Sequence, residues 1–155
     1  MVTIKKGDLL VDATEKVIAH QVNCFGVVGG LAADIFEKWP DAGNDYKQLC
    51  DRIMSLGMFS GMYIGMPHLT GQQKDGHIIA SLFGQYYPGA DYRPDALRKS
   101  LTCLGQIARK SGWSVALPYK ISCGICGGDW DEVLEIIEEA MDGVECVIYQ
   151  REGDE

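Results

Sequence analysis

The sequence predicts a mixed α/β fold in which helices cover both faces of a central sheet. Apolar runs of strand length alternate with helical patterns along the chain, which is the order expected of such a sheet. The run Val17–Asn23 is almost continuously apolar, as in a central strand that is covered on both faces. Two strand-length runs also end in glycine-bearing loops, at 24–30 and 122–128, that lead into helical patterns. The 155 residues suit one domain, 1–155.

The individual elements follow from periodicity and from turn residues. The turn-rich segment Thr70–Gly76 separates two strand patterns and predicts a hairpin. Pro40 indicates that a helix ends at Trp39, and Pro94 suits the first turn of a later helix. Residues 151–155 form a polar tail. In chain order we expect strands at 2–5, 17–23, 62–67, 77–83, 114–118 and 144–150, with helices at 31–39, at 45–53, from 94 onward and at 129–141.

The segment Ser114–Met141 carries the strongest local signal, because it runs from strand through glycine-rich loop to helix. Three glycines fall within Cys123–Gly128, and Asp129 with Glu132 predicts a capping box at the helix start. Residues without a Cβ let backbone N–H groups approach a ligand, and a helix N-terminus stabilises an anion. The loop is therefore either a phosphate or diphosphate cradle or a plain glycine-rich turn. Its local sequence does not decide between these two interpretations.

Composition limits the classes of partner. The net charge of −8 argues against broad nucleic-acid binding and against an anionic membrane surface. No apolar run approaches the ~20 residues of a membrane span, and the N-terminus has no secretory h-region. Six cysteines without such a signal favour a reducing, cytoplasmic location with free thiols. A small phosphorylated ligand remains compatible with the charge, because backbone amides can hold it.

Four side chains have more than one possible role on the evidence of the local sequence alone. Asp8 is either a turn former or a hydrogen-bond acceptor for a ligand, and His20 is either a core residue or a catalyst. Cys123 and Cys126 have the spacing of a metal or redox pair, but no second pair accompanies them, so no metal site is expected. Cys126 is also a minor candidate nucleophile, since helix N-terminal amides lower a thiol pKa.

An ordered set of motifs gives the chain a family resemblance. The set comprises Lys6–Leu9, Ile18–Asn23 with Gly26–Gly30, Leu117-Pro118 with Cys123-Gly124, and Gly127–Glu132. It resembles the macro domain, the ADP-ribose-binding fold, over nearly the whole chain. It is most similar to the branch with the small ADP-ribosyl-glutamate glycohydrolases and the ADP-ribose-1″-phosphate phosphatases. The resemblance implies a three-layer α/β/α fold with a mixed, mostly parallel sheet of about six strands.

The resemblance also implies a set of ligand-binding residues. Asp8 matches the aspartate that accepts from the adenine amine, Leu9 is its neighbour at the adenine pocket, and Tyr149 lies beside the adenine. Asn23 matches the asparagine at the distal ribose. The first loop comprises Gly26, Val27, Val28, Gly29 and Gly30, and the diphosphate loop comprises Ser122, Cys123, Gly124, Ile125, Cys126, Gly127 and Gly128.

The chain departs from the lysine-dependent glutamyl-ADP-ribose hydrolases at two positions. The lysine of those enzymes falls at Gly84–Tyr86 here, and their partner aspartate falls at Cys126. The covalent lysine reaction is therefore not expected.

The expected activity is hydrolysis of ADP-ribose 1″-phosphate, with Asn23 orienting the ribose and His20, Asp91 or a ligand-held water as base. The alternatives are a non-catalytic ADP-ribose reader and a glycohydrolase that does not use the lysine/aspartate pair. ADP-ribosylated macromolecules are the further partners expected, with no cofactor and a monomeric state.

Overall fold

The computed structural model describes residues 1–57 and 60–154, so that Glu155, the end of the predicted tail, lies outside the described residues. Six strands form one sheet in the order β1-β6-β5-β2-β4-β3. All neighbouring strands are parallel except β3 and β4, which are antiparallel. The predicted mixed, mostly parallel sheet is confirmed. Its strands are β1 (Val2–Lys6), β2 (Val17–Val22), β3 (Pro67–Thr70), β4 (Ile78–Phe83), β5 (Val115–Pro118) and β6 (Cys146–Gln150).

Four helices cover the two faces of this sheet. They are α1 (Gly30–Lys38), α2 (Pro40–Ser55), α3 (Pro94–Ser111) and α4 (Trp130–Ala140), and a 3₁₀ helix spans Ser60–Tyr63. Successive residues of a strand point to opposite faces, and β2 shows the result. Ile18 packs in one core cluster with Ile35 of α1, whereas Ala19 packs in another with Leu101 of α3. The three-layer arrangement is confirmed. Among the described helices, none is long and apolar enough to cross a membrane.

Two predicted boundaries between strands and helices are wrong. The strand expected at 62–67 is instead the end of the 3₁₀ helix followed by a turn, in which Met66 N–H donates to the Tyr63 carbonyl. Gly65, at φ +81°, supports that turn. The hairpin itself forms, with β3 beginning at Pro67. Helix α2 begins at Pro40, five residues before the predicted start at Asp45. Proline is tolerated at the first position of a helix, because the N–H that it lacks has no partner within the first turn.

The predicted capping box at the start of α4 is also wrong. Asp129 occupies the N-cap position, but its side chain makes no capping hydrogen bond. Glu132 accepts a hydrogen bond of 2.6 Å from the Tyr92 hydroxyl instead of turning back to the helix start. The hydrogen bond from Tyr92, which is distant in sequence, therefore replaces the expected bond between Glu132 and the backbone at the start of the helix.

Candidate functional site

A cleft of about 620 Å³ runs along the edge of the sheet where the parallel strands end. The sheet order places the carboxyl ends of β1, β6, β5, β2 and β4 side by side, over roughly 19 Å at about 4.8 Å per strand. Ligands of open α/β sheets bind at this edge. The lining residues are Asp8, Leu9, His20, Gln21, Gly29, Gly30, Leu31, Ala32, Gln85, Pro118, Tyr119, Lys120, Ile121, Ser122, Cys123, Gly124, Ile125, Cys126, Tyr149, Arg151 and Asp154.

The N-terminus of α1 forms one wall of this cleft. Gly29 is its N-cap, no side chain caps the helix, and its first turn carries no acidic residue. The first N–H groups of a helix have no partner within the helix, so an uncapped helix end facing a cleft stabilises an anion. The sequence assigned this role to α4. Gly127, Gly128 and the first turn of α4 are not among the lining residues, so that assignment stays a prediction.

The loop from Ser122 to Cys126 forms the opposite wall. Among residues 1–57 and 60–154, the N–H groups of Gly124, Ile125 and Cys126 make no hydrogen bond. Backbone N–H groups without a partner at the edge of a cleft are suited to binding an anion. The loop therefore carries three backbone donors without a partner in residues that line the cleft.

Gly127 and Gly128 shape the loop without lining the cleft. Gly127 has a φ of +88°, which favours glycine. A Cβ on Gly128 would lie 2.6 Å from the Ser122 carbonyl oxygen and 2.8 Å from the Tyr92 ring. Both glycines hold the curvature of the loop, and the cleft itself is bordered by Gly124.

Gln21 connects three segments at the floor of the cleft. Its Nε2 donates to Gln85 Oε1 at 2.8 Å and to Cys126 Sγ at 3.4 Å, and its Oε1 accepts from the Ser122 hydroxyl. A Cβ on Gly84 would overlap the Gln21 side chain. The end of β2, the loop after β4 and the loop after β5 are therefore held together by one neutral amide.

The β1–β6 end of the cleft combines a carboxylate with apolar surface. Asp8 Oδ1 accepts from Leu10 N–H at 2.9 Å, and Asp8 also lines the cleft. The two predicted roles of Asp8, as a turn former and as a hydrogen-bond acceptor for a ligand, are therefore compatible. Tyr149 is 2% exposed, and its hydroxyl donates to Glu15 at 2.7 Å. Burial and that carboxylate raise the pKa of Tyr149 to about 12. Leu9 and Tyr149 pack together beneath the cleft.

The side-chain amide of Asn23 forms hydrogen bonds within its own loop. Its Nδ2 donates to the Val27 carbonyl at 2.8 Å, and its Oδ1 accepts from Phe25 N–H at 2.9 Å and from the Tyr46 hydroxyl at 3.1 Å. Asn23, Gly26, Val27 and Val28 are not among the lining residues. The amide therefore folds the first loop, and its predicted contact with a ribose stays a prediction.

His20 lies on the floor of the cleft but is 1% exposed. Its Nε2 is 3.2 Å from the Ser81 hydroxyl, and its ring meets the edge of Phe36. Burial lowers the pKa of His20 to about 3, so the ring is neutral at neutral pH. A neutral imidazole of such low basicity is a weak general base.

The buried imidazole predicts a loss of stability in mild acid. The unfolded chain binds a proton below pH 6.5, whereas folded His20 does so only near its pKa of about 3, so stability is complete above pH 6.5 and falls below it. From pH 7 to pH 5 this group removes roughly 2 kcal/mol from the free energy of unfolding. Urea unfolding at the two pH values measures the difference, and His20→Gln is expected to flatten it. An equal pH dependence in both proteins would contradict this assignment.

Asp91 orders the loop after β4. Its carboxylate accepts from the N–H groups of Tyr86 and Tyr87 at 2.8 and 2.9 Å and from Arg93 Nε at 2.9 Å. Burial opposes ionisation, but the hydrogen bonds from Arg93 and the two N–H groups outweigh it and lower the pKa of Asp91. Asp91 is not among the lining residues, and its role as a base stays a prediction.

The two cysteines of the loop stay protonated at neutral pH. Burial raises the pKa of Cys123 to about 11 and raises that of Cys126 above its ordinary value, although the Gln21 hydrogen bond opposes the latter. The expected lowering of the Cys126 pKa is therefore wrong, because burial outweighs the hydrogen bonds that favour the thiolate. No group of three metal-ligating side chains occurs within the described part of the chain.

Sequence reasoning missed several lining residues. Gln21 carried a signal, since it is a polar residue in an otherwise apolar central strand. Gln85, Lys120 and Arg151 directly follow parallel strands or their loops, and the rule that ligands bind at strand ends points to such positions. Asp154 carried no local signal.

No protein-family model and no curated protein matches the chain. The structure is similar to the macrodomain of Mycobacterium tuberculosis DarG, with 28% identity, a TM-score of 0.81, and coverage of 96% of this chain and 97% of that one. The macrodomain of Thermus aquaticus DarG matches with 25% identity, a TM-score of 0.80, and coverage of 97% and 98%. Thermosipho africanus DarTG in complex with ADP-ribose matches with 17% identity and a TM-score of 0.78, over 95% of this chain and 41% of that one.

These similarities cover nearly the whole described fold. The helices, the strand order and the cleft at the strand ends agree with the motifs that first indicated the family. The chain therefore has the macrodomain fold.

Proposed function

We propose that the cleft binds ADP-ribose or a derivative of it. The observation that carries the proposal is the order of the chemical groups along the strand ends. A carboxylate with apolar surface lies at the β1–β6 end, unbonded backbone N–H groups lie in the middle, and neutral amides lie at the β2–β4 end. This order matches a base, a diphosphate and a ribose joined in a row.

The diphosphate occupies the middle of the cleft. The N–H groups of Gly124, Ile125 and Cys126 face it from one side, and the uncapped start of α1 lies on the other. Both are electropositive through backbone dipoles. A protein with a net charge of −8 can bind a dianion in this way without a large basic patch.

The adenine occupies the β1–β6 end. Asp8 retains a second carboxylate oxygen beside the one that Leu10 N–H uses, and this oxygen accepts from the adenine amine. Leu9 and Pro118 supply apolar contact. The Thermosipho DarTG protein, which shares the fold, was solved with ADP-ribose, and this supports the choice of ligand.

Calorimetric titration tests the proposed function. ADP-ribose is expected to bind one site per chain, and AMP is expected to bind more weakly, because it lacks the second phosphate that the backbone donors stabilise. An absence of binding by ADP-ribose would overturn the proposal.

Asp8→Ala is expected to weaken ADP-ribose binding by about 1–3 kcal/mol, since it removes a charged acceptor for the adenine amine. The variant Asp8→Asn retains an acceptor for Leu10 N–H and so separates loss of the turn from loss of the charge. Calorimetry is the measurement, with the melting temperature as the control for folding. An unchanged affinity in a folded Asp8→Ala protein would reject the adenine contact.

A second candidate function is hydrolysis of ADP-ribose 1″-phosphate. The observation that favours it over lysine chemistry is the neutral cluster at the distal end. Gln85, in the segment 84–86 where the related hydrolases carry their lysine, and Cys126, at the position of their aspartate, are both hydrogen-bonded to Gln21. Neither position therefore supplies an amine for a covalent adduct, and the Gln21 amide and the Ser122 hydroxyl would exchange their present hydrogen bonds to donate to a phosphate on the distal ribose.

Incubation with ADP-ribose 1″-phosphate, followed by measurement of free phosphate, tests this second function. Release of phosphate above the buffer rate supports a phosphatase. Binding without release leaves a reader of ADP-ribose or of ADP-ribosylated macromolecules. A parallel incubation with an ADP-ribosylated protein tests the glycohydrolase alternative.

A further inference from the structure

The loops around the β2–β4 end of the cleft carry exposed apolar side chains. The loop after β2 exposes Val27 (53%), the loop after β4 exposes Tyr87 (54%), and the loop after β5 exposes Ile125 (82%). A single exposed apolar side chain is common on a protein surface, whereas several on the loops at one end of a cleft indicate an interaction surface. We call these three residues, together with Phe25, the distal rim.

The aromatic part of the distal rim is held in place by contacts between two loops. The Phe25 ring is stacked on the Tyr87 ring, with a centroid distance of 5.4 Å and an interplanar angle of 10°. Cys24 N–H donates to the Tyr86 carbonyl at 3.0 Å, and Gln85 Nε2 donates to the Tyr87 carbonyl at 2.7 Å. Tyr87 is therefore an exposed ring in a fixed position, and such a ring loses little conformational entropy when it binds a partner.

The segments that form the distal rim are uncharged, although 23% of the chain is charged and its net charge is −8. The segments 23–33 and 121–128 contain no charged residue. In the segment 84–93 the two charged side chains, Asp91 and Arg93, pair with each other at 2.9 Å. A nucleic-acid strand requires cations for its phosphates, and an acidic or basic peptide requires the opposite charge. The rim therefore fits an uncharged, apolar polypeptide segment.

The distal rim continues the cleft at the end where the distal ribose would lie. Ile125 belongs to both surfaces, since it lines the cleft and is also exposed. Gln85 connects them, because its Oε1 accepts from Gln21 in the cleft and its Nε2 donates to the Tyr87 carbonyl. In the proposed binding mode, a macromolecule attached to the distal ribose must therefore pass over the rim.

We infer that the distal rim binds the polypeptide segment on either side of an ADP-ribosylated residue and selects adducts whose neighbouring residues are apolar or aromatic. This inference rests on the proposed binding of ADP-ribose, because the ribose brings the adduct to the rim. The ADP-ribose moiety supplies most of the affinity, and the apolar contact discriminates between attachment sites. The partner is then an ADP-ribosylated protein, and an ADP-ribosylated nucleic-acid strand is disfavoured.

The test is calorimetric titration of free ADP-ribose and of three conjugates that carry ADP-ribose through a non-hydrolysable linkage, so that turnover does not interfere. One conjugate is a short peptide with leucine and phenylalanine beside the linked residue, the second has aspartate at both positions, and the third is a single-stranded oligonucleotide. We expect the wild-type protein to bind the apolar peptide roughly three- to tenfold more tightly than free ADP-ribose, through aromatic contact with the rim. The other two conjugates are expected to bind no more tightly than free ADP-ribose.

Variants of Tyr87 show whether the rim causes this gain in affinity. Tyr87→Ala is expected to remove the gain and to leave the affinity for free ADP-ribose unchanged, since Tyr87 does not line the cleft. Tyr87→Phe is expected to keep the gain, because the ring remains. Ile4→Ala is the control, since Ile4 is also exposed, at 44%, but lies in β1, at the edge of the sheet away from β2 and β4. Thermal melting shows whether each variant is folded.

The outcomes separate the inference from the proposed function. No binding of free ADP-ribose by the wild-type protein overturns both. Binding of free ADP-ribose without a gain for the apolar peptide overturns the inference alone. A gain for the acidic peptide or for the oligonucleotide also overturns the inference, as does a gain that persists in a folded Tyr87→Ala protein. A gain for the apolar peptide that is lost in Tyr87→Ala and kept in Tyr87→Phe and Ile4→Ala supports both.

Discussion

Replacement of Gly124 by glutamate is expected to abolish ADP-ribose binding while the fold is retained. Gly124 lines the cleft, its φ is not in the left-handed region, and a Cβ there would have no atom within 4 Å. A longer side chain is therefore accommodated by the free protein but enters the space of the ligand. Its charge lies beside the diphosphate, and like charges in contact cost several kcal/mol, which corresponds to a loss on the order of 100-fold or more.

Gly71→Glu is the matched control for this variant. Gly71 also has open space around its Cβ position and no positive φ, and it follows β3 at the opposite edge of the sheet. The two variants have the same composition and the same net charge. Calorimetry measures the ADP-ribose affinity of both proteins, and thermal melting shows whether each of them is folded. Normal ADP-ribose binding by Gly124→Glu would mean that this loop does not hold the diphosphate.

The largest expected effect on stability comes from Gly105→Ala, in the middle of α3. A Cβ on Gly105 would overlap the Ala140 carbonyl oxygen at the end of α4, and the same oxygen accepts from Arg109 Nη1 at 3.2 Å. The obstacle is backbone and cannot change rotamer, so the two helices must separate. We expect a net loss of about 2 kcal/mol or more in the free energy of unfolding, even after the better helix propensity of alanine.

Urea unfolding and thermal melting measure this effect, with an expected fall in the melting temperature of about 4–8 °C. Gly71→Ala is the control, because its Cβ would meet no atom within 4 Å. Equal stability of Gly105→Ala and the wild-type protein would show that α3 and α4 can move apart without loss. Retained ADP-ribose affinity in the folded fraction is expected, since Gly105 is remote from the cleft lining.

The sequence was sufficient for the fold and for much of the cleft. The alternation of strands and helices could be predicted from the local periodicity of apolar residues, and the structure has this alternation around its six-stranded sheet. Asp8, Leu9, Tyr149 and the segment Ser122–Cys126 were all assigned to a ligand and all line the cleft. Their motifs were informative because each one combines a strand end with the turn residues that follow it.

The roles of Asn23 and Asp91 could not be derived in the same way. Both side chains could face a ligand or fold their own loops, and the same short sequence is compatible with either. The structure shows both accepting hydrogen bonds from nearby backbone N–H groups. A polar side chain that satisfies its own loop is less available to a ligand, and only the folded loop geometry shows this.

The sequence by itself therefore determined the order of the elements and the loops that reach the cleft, since these depend on periodicity and on nearby turn residues. The tertiary structure decided which helix points its N-terminus at the cleft and why α3 needs Gly105. It also decided that Gln21 joins Cys126 across 105 positions and that Tyr149 joins Glu15 across 134. These features arise from contacts between segments far apart in the chain, and a local pattern contains no information about which distant groups will meet.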